Sequence, residues 1–222
     1  MIRFFDIFFS SLAIIVIAPI LLPVMIILKL TGEGEIFYFQ TRVGEKNSFN
    51  LMKFATMLKN SPKMGSGSIT IKDDPRVLPF GRFLRKTKIN ELPQIINVLL
   101  GDMSLVGPRP LTKENFDFYS DDVKEVLKNT KPGLSGIGSI IFRNEEEILQ
   151  GENIHEKYKE LISPYKGELE VWFSKNLSLK LYFEIIFLTI FIILFSNHKV
   201  VFSYFKNKIP EPPDSLKIYF NQ

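Results

Sequence analysis

Cysteine is absent from the 222-residue chain, which excludes disulfides, thiolate metal sites and a cysteine nucleophile. Histidine is almost absent: His155 and His198 are the only two, which argues against a histidine-rich zinc centre or a histidine-based triad. Chemistry therefore falls to carboxylates, Lys and Arg. Arginine is scarce as well, with seven residues against 21 lysines, and six of the seven lie between positions 42 and 143. A chain this rich in Lys has generic positive charge everywhere, so its few guanidiniums mark places that need planar, two-pronged hydrogen bonding. The net charge of +4 and pI near 9.1 suit an anionic partner and leave nucleic acid, phosphorylated substrates and anionic lipid equally open.

Long uncharged runs are few but decisive. Residues 4–28, FFDIFFSSLAIIVIAPILLPVMIIL, carry a single charge and could cover a bilayer core of about 30 Å. They read as a membrane helix rather than a cleaved signal, because no small-residue cleavage site ends them. Pro19 and Pro23 predict a kink near the middle; on the residues alone a single kinked span is preferred to a re-entrant hairpin, which stays open. From 36–44 and 49–54 two strands are expected around the turn EKNS, and 59–68 reads as a polar, glycine-rich, mobile loop. The second apolar stretch, 177–196, has an uncharged part too short to span, so an interfacial helix is expected, with a buried core helix as the alternative. The tail after it alternates aromatics with Lys, which suits a membrane surface. The domain reading is a membrane helix over 1–31, a catalytic domain over 32–176 and an interfacial helix with tail over 177–222.

The richest stretch is KINELPQIINVLLGDMSLVGPRP, residues 88–110. Asn90 fits a helix N-cap, Glu91 suits the positive end of a helix, Pro93 is tolerated in the first turn, and Gly101 stops the run. Leu92, Ile95, Ile96 and Leu99 are expected on one buried face. Asn90-Glu91 could be no more than a well-made helix start. Against this, Arg82 and Arg85 arrive just before it, and Arg109 is held between Pro108 and Pro110, whose fixed backbone lowers the entropy lost on gripping a ligand. An acid among guanidiniums is a way to hold a diphosphate with a divalent cation.

ELPQIINVLLGDMSLVGPRP resembles the core signature of the bacterial sugar transferases known as monotopic phosphoglycosyl transferases. FQTRVG, LMKFATM, DPRVLPFGRFLRKTKINE, KPGLSGIGSIIFRN and FSKNLSLKLYFEIIFLTI agree with it in order and spacing, over about residues 1–190. The resemblance implies a mostly helical α/β (α+β) monotopic membrane protein with a re-entrant N-terminal helix broken at Pro19, a small β-hairpin and interfacial amphipathic helices. It implies transfer of a sugar phosphate from a UDP-sugar to undecaprenyl (polyprenyl) phosphate, giving a polyprenyl-diphosphate sugar and UMP, with Mg²⁺ assisting. The expected place is one leaflet of the bacterial inner (plasma) membrane, at its cytoplasmic face, and a homodimer is compatible with it. Carried over by motif, Lys53, Arg85, Asn90 and Glu91 are the implied catalytic residues, Glu91 the metal ligand, and Pro108, Arg109, Pro110 and Arg143 the substrate-binding set.

Departures from the family pattern bear on mechanism. The usual Asp-Glu dyad is Asn90-Glu91, and an amide cannot be the nucleophile that attacks phosphorus. Ala55 replaces the usual Arg of the KFRTM motif, Ile137-Gly138-Ser139 the usual Trp-Ala-Gln, and Tyr182 an Asp. Glu91 as nucleophile, direct attack by the lipid phosphate, an inactivating change at Asn90 and a non-catalytic relative are the four readings. Direct attack in an active enzyme is favoured, because positioning and charge neutralisation can carry phosphoryl transfer. The rival from another class is a non-catalytic membrane scaffold that binds nucleotide sugar or lipid phosphate. Nucleic-acid binding fits poorly, since no aromatic-basic platform motif is visible.

Overall fold

The computed structural model describes residues 1–61, 64, 74–143, 145–148, 154–195 and 199–220, so most of the loop read at 59–68 lies outside the described residues. The first apolar run forms α1 (Ile2–Thr31), long and apolar enough to cross a membrane and mostly unburied. Its helical backbone is continuous through Pro19 and Pro23, so no gap separates two helices at the expected break. Each proline deletes one backbone donor while the flanking residues stay helical.

Both ends of α1 dock on the folded unit, and the middle does not. At the N-terminal end Arg3 donates to the carbonyls of Val98 (2.5 Å) and Leu99 (2.7 Å). One turn later the buried Asp6 accepts from Ser104 Oγ (3.0 Å), the Leu105 N–H (2.9 Å) and Tyr182 OH (2.8 Å). Three donors offset the cost of burying a carboxylate. At the C-terminal end Val24 and Leu28 pack with Phe54 and Leu84. Between them Ile15, Val16, Ile20 and Leu22 stand exposed.

The expected hairpin is present as β1 (Phe37–Val43) and β2 (Ser48–Phe54), antiparallel with Gln40 opposite Leu51. After α2 (Pro79–Lys86), Lys88 adopts a left-handed φ of 60°, uncommon for a residue with a Cβ, and reverses the chain into a single 3₁₀ turn, Ile89–Glu91. The next helix, α3, starts only at Gln94 and ends at Leu100, with Gly101 left-handed at φ 99° as the stop. Asn90 is therefore not a helix cap: its turn is separate, and Pro93 takes the capping position. The buried face of α3 is Gln94, Ile95, Asn97 and Val98, a shift from the expected apolar stripe because Asn97 has a structural task. Its amide accepts from the Met52 N–H (2.9 Å) and donates to the Asn50 carbonyl (2.9 Å), splicing α3 onto β2.

A second, parallel pair joins β3 (Ser104–Val106) to β4 (Gly133–Ser135). Short helices α4 (Lys113–Asp117), α5 (Asp121–Lys128), α6 (Ile137–Ile141), α7 (Glu145–Ile148) and α8 (Ile154–Lys157) follow, then a π-helical turn, Tyr158–Ile162, and α9 (Ser163–Asn176). The largest core lies between α6, α9 and α10 (Leu179–Phe195), around Ile137, Tyr165, Leu169, Phe173 and Ile185. α10 buries Leu181, Ile185, Leu188 and Ile192 and exposes Phe187, Ile190, Ile193 and Leu194. It is a core helix on one face and an apolar surface on the other. Phe183 links it to α1 through Phe5 and Phe9. The tail departs from the surface reading. α11 (Lys199–Phe205) and α12 (Asp214–Phe220) fold back, burying Val201, Phe205 and Leu216 in the same core, with Phe220 against Phe142. Its aromatics find that core because α9 and α10 leave an apolar face open, so burial outweighs solvation.

Candidate active site

Two of the sequence motifs form one seam. The Gly107 N–H donates to the Ser135 carbonyl and the Gly133 N–H to the Pro108 carbonyl, both at 2.8 Å. A Cβ on Gly133 would lie 2.0 Å from the Gly107 nitrogen, and one on Gly136 2.1 Å from the Gly107 oxygen. Glycine is required there by contact between backbones. The seam buries Pro108 and Pro110 and leaves Arg109 exposed between them, which is the rigid presentation the Pro-Arg-Pro spacing implied. A parallel fit seats α2: a Cβ on Gly81 would lie 2.2 Å from the Thr56 oxygen, and the Leu78 N–H bonds that oxygen at 3.0 Å. Thus Lys-Phe-Ala-Thr-Met and the helix carrying Arg85 are held against each other.

Glu91 sits where these pieces meet. Its Oε1 is 3.3 Å from Lys53 Nζ of β2 and 3.6 Å from Arg109 Nη2. Burial alone would raise the Glu91 pKa, but Arg109 and Lys53 outweigh it and bring it down to about 2. Lys53 also falls, to about 8: burial is the chief cause, Glu91 opposes it, and Arg109 and Arg42 add to it. Neighbouring cations bring Glu91 down, whereas Lys53 falls chiefly through burial, with Arg109 and Arg42 adding to it against the pull of Glu91. A surplus of positive charge makes the acid more acidic and the ammonium easier to deprotonate.

Arg42 supplies part of that surplus. It donates from Nη1 to the Pro110 carbonyl (3.2 Å) and from Nη2 to Gln40 Oε1 (2.6 Å), while its buried Nε has no partner. Burial and the neighbouring Arg109 lower its pKa to about 10. Sequence reasoning noted Arg42 only as one of seven arginines. Its partner Pro110 is 68 residues away, which no local pattern reveals. The available signals were the scarcity of Arg and its place in the segment FQTRVG.

The other expected residues are placed as follows. Arg85 Nη1 donates to Thr56 Oγ1 at 3.3 Å, so it belongs to the β2 and α2 side of the site. Asn90 is 7% exposed and its Oδ1 has no partner among the described residues, an orphaned acceptor beside Glu91. Arg143 is exposed in the turn after α6; among the described residues no hydrogen bond or ion pair joins it to Glu91 or Arg109. The structure thus brings together Lys53, Glu91 and Arg109 and adds Arg42.

Comparison with known proteins identifies the family. The family described as bacterial sugar transferase matches residues 1–196. The chain is 35% identical over 158 residues to the exopolysaccharide production protein ExoY of Sinorhizobium fredii, covering 64% of this chain and 70% of that protein. It is 36% identical over 159 residues to the undecaprenyl-phosphate galactose phosphotransferase of Salmonella typhimurium, covering 64% of this chain and 33% of that one. With the UDP-glucose:undecaprenyl-phosphate glucose-1-phosphate transferase of Escherichia coli, identity is 33% over 192 residues, 84% of this chain and 38% of the other. The aligned part is therefore most of the shorter relative and little more than a third of the longer ones.

Proposed function

The chain belongs to the bacterial sugar transferase family, and from that premise we propose that it transfers a sugar phosphate from a UDP-sugar to undecaprenyl or a similar polyprenyl phosphate. The products are a polyprenyl-diphosphate sugar and UMP, and the reaction starts the assembly of a surface glycan. The observation that carries this reading is the Glu91 cluster: one carboxylate shared by Lys53 and Arg109, with Arg42 behind. Such a surplus of partly buried positive charge is offset by a phosphate anion.

Direct attack by the acceptor fits the groups present. An acceptor phosphate oxygen bonds the sugar-bearing phosphorus, and the bond from that phosphorus to the bridging oxygen of UMP breaks. Asn90 cannot serve as a nucleophile. Glu91, held by two cations with a pKa of about 2, is a weak base better suited to organising charge. Arg109 and Lys53 neutralise charge that grows on the phosphoryl oxygens. The donor set also fits Mg²⁺. Glu91 contributes a carboxylate and Asn90 an unpartnered amide oxygen, and this ion is commonly held by one or two carboxylates with substrate phosphates and water completing the shell. When bound, it would supply positive charge beside Glu91 and Asn90 to offset that of the phosphates.

The membrane reading is a re-entrant α1 in one leaflet, at the cytoplasmic face of the inner membrane where nucleotide sugars are found. Asp6 and Leu28 are 22 positions apart, roughly 33 Å along a helix, and both are buried against one folded unit. A perpendicular span would drag that unit through the bilayer, whereas a helix that dips in leaves its middle, Ile15 to Leu22, to the lipid.

The test is UMP release from a panel of UDP-sugars, which should require both Mg²⁺ and polyprenyl phosphate; no release from any member refutes the proposal. Mass spectrometry without acceptor separates the mechanisms, since a sugar-phosphate adduct on Glu91 would overturn direct attack. The Asn at position 90 favours one second reading, a non-catalytic scaffold. In that case Glu91→Gln would have no turnover to lose.

A further inference from the structure

We propose that Arg42, braced by Gln40, is a positioning residue that sets Arg109 for the donor diphosphate and completes the charge that recognises it. The inference rests on the transferase reading above and deepens it, because that reading does not say how donor and acceptor phosphates are told apart.

The argument begins with the end of β1. The Val43 N–H donates to the Leu111 carbonyl at 2.9 Å, and Arg42 Nη1 donates to the Pro110 carbonyl. Two consecutive residues of the strand therefore grip the two residues that follow Arg109. The seam of Gly107 and Gly133 holds the corner from the other side. With both flanks fixed, the position of Arg109 depends on where Arg42 places Pro110. Gln40 lies two residues earlier in β1 and accepts from Arg42 Nη2 at 2.6 Å, so the guanidinium is locked at both terminal nitrogens.

Charge gives the second half. A buried guanidinium kept only for structure is ordinarily paired with a carboxylate, because an unpaired buried charge is expensive. Among the described residues Arg42 has no carboxylate ion pair; its hydrogen bonds go to an amide and a carbonyl, and the nearest influences on its charge are Arg109, which repels it, and Glu91, which attracts it. Lys53 leans on the same Glu91. Arg42, Arg109 and Lys53, with a smaller contribution from Lys88, act on the single carboxylate of Glu91, so the cluster is net positive. The diphosphate of a nucleoside diphosphate-sugar is an anion whose oxygens such a net-positive cluster can hold, so counter-charge arrives with the donor. Arg85 donates to Thr56 Oγ1 on the β2 and α2 side of the site.

Steady-state kinetics with donor and acceptor varied separately, on the full-length protein in detergent or bilayer discs, test this. Arg42→Gln should raise the KM for the UDP-sugar by about tenfold or more and change the KM for polyprenyl phosphate by less than about twofold. Arg42→Lys returns the charge without the two-pronged grip and should recover part of the loss, and Gln40→Leu should fall between wild type and Arg42→Gln. Calorimetric titration with uridine diphosphate and Mg²⁺ gives a readout apart from turnover, and its affinities should follow the donor KM. The melting temperature of ligand-free Arg42→Gln should stay within a few degrees of wild type, since the lost bonds to Pro110 and Gln40 are offset by removing a cation that Arg109 repels. Equal changes in both KM values, or unaltered donor KM and uridine diphosphate affinity, overturn the inference. A wild type that binds uridine diphosphate in an Arg42-dependent way but never turns over would sink the transferase reading and leave this one standing.

Discussion

Replacing Glu91 by Gln keeps the shape of the side chain and removes the charge that Lys53 and Arg109 share. Gln resembles the protonated acid, so the expected effect on folding follows from the titration of Glu91. Holding that carboxyl at about 2 instead of 4.5 corresponds to ~3 kcal/mol of stability at neutral pH. The folded state lowers this pKa, so the contribution is whole above 4.5 and is lost as pH falls toward 2. Chemical denaturation in detergent should show wild type more stable than Glu91→Gln by ~3 kcal/mol at pH 7. The difference should shrink steadily on acidification through that window. Subtracting one protein from the other cancels the remaining carboxylates. Turnover should drop on the order of 10²- to 10³-fold, the usual cost of removing one preorganised electrostatic group. A variant as stable as wild type at pH 7, or a gap that persists toward pH 2, would refute the claim that two cations hold this carboxylate.

Glu170 should act in the opposite direction. Burial raises its pKa to about 7 against the partial relief of Lys166 and the Gly138 N–H, so its favourable contribution is full below 4.5 and lost as pH rises through 7. Glu170→Gln should match wild type in acid and be more stable by ~3 kcal/mol at pH 8, read from denaturation curves at the two pH values; a variant no more stable at pH 8 contradicts the burial. Gly133→Ala forces a Cβ to within 2.0 Å of the Gly107 nitrogen. It should cost at least about 1–3 kcal/mol and lower the melting temperature by several degrees, with donor KM rising as Arg109 shifts. Asp6→Ala strands the hydroxyls of Ser104 and Tyr182 and the Leu105 N–H. A loss of at least ~2 kcal/mol is expected, and Tyr182→Phe should cost less because one of three donors goes. Asn90→Asp should leave folding intact, and if attack is direct it should not create an adduct that survives without acceptor.

The parts of the fold that local chemistry governs could be read in advance. Alternating residues around EKNS announced the hairpin, and Gly101 stopped α3 because only a residue without a Cβ takes φ 99° cheaply. Pro108 and Pro110 announced a rigid Arg109. What escaped depended on distant partners. Asn followed by Glu before an apolar run describes a helix start equally well as a separate turn, and the choice is made by Lys88 reversing the chain and Pro93 capping α3. Asn97 breaks the apolar stripe of its helix because β2, 45 positions earlier, needs its amide. Arg42 looked like any strand cation until Pro110 came beside it. The tail carried aromatics suited to a bilayer surface, and only the open face left by α9 and α10 explains why they turn inward. Arg143 is exposed in the turn after α6, and among the described residues no hydrogen bond or ion pair ties it to Glu91.

The most direct measurement follows the phosphorus itself. Given a UDP-sugar labelled with ³²P at the β position, together with Mg²⁺ and polyprenyl phosphate, the protein should move label into the organic-extractable lipid while unlabelled UMP accumulates in step. Label that stays in the aqueous phase as UDP while sugar reaches the lipid would mean a plain glycosyl transfer, and label that never leaves the donor would mean no transfer at all; either contradicts a site built around the sugar-bearing phosphate.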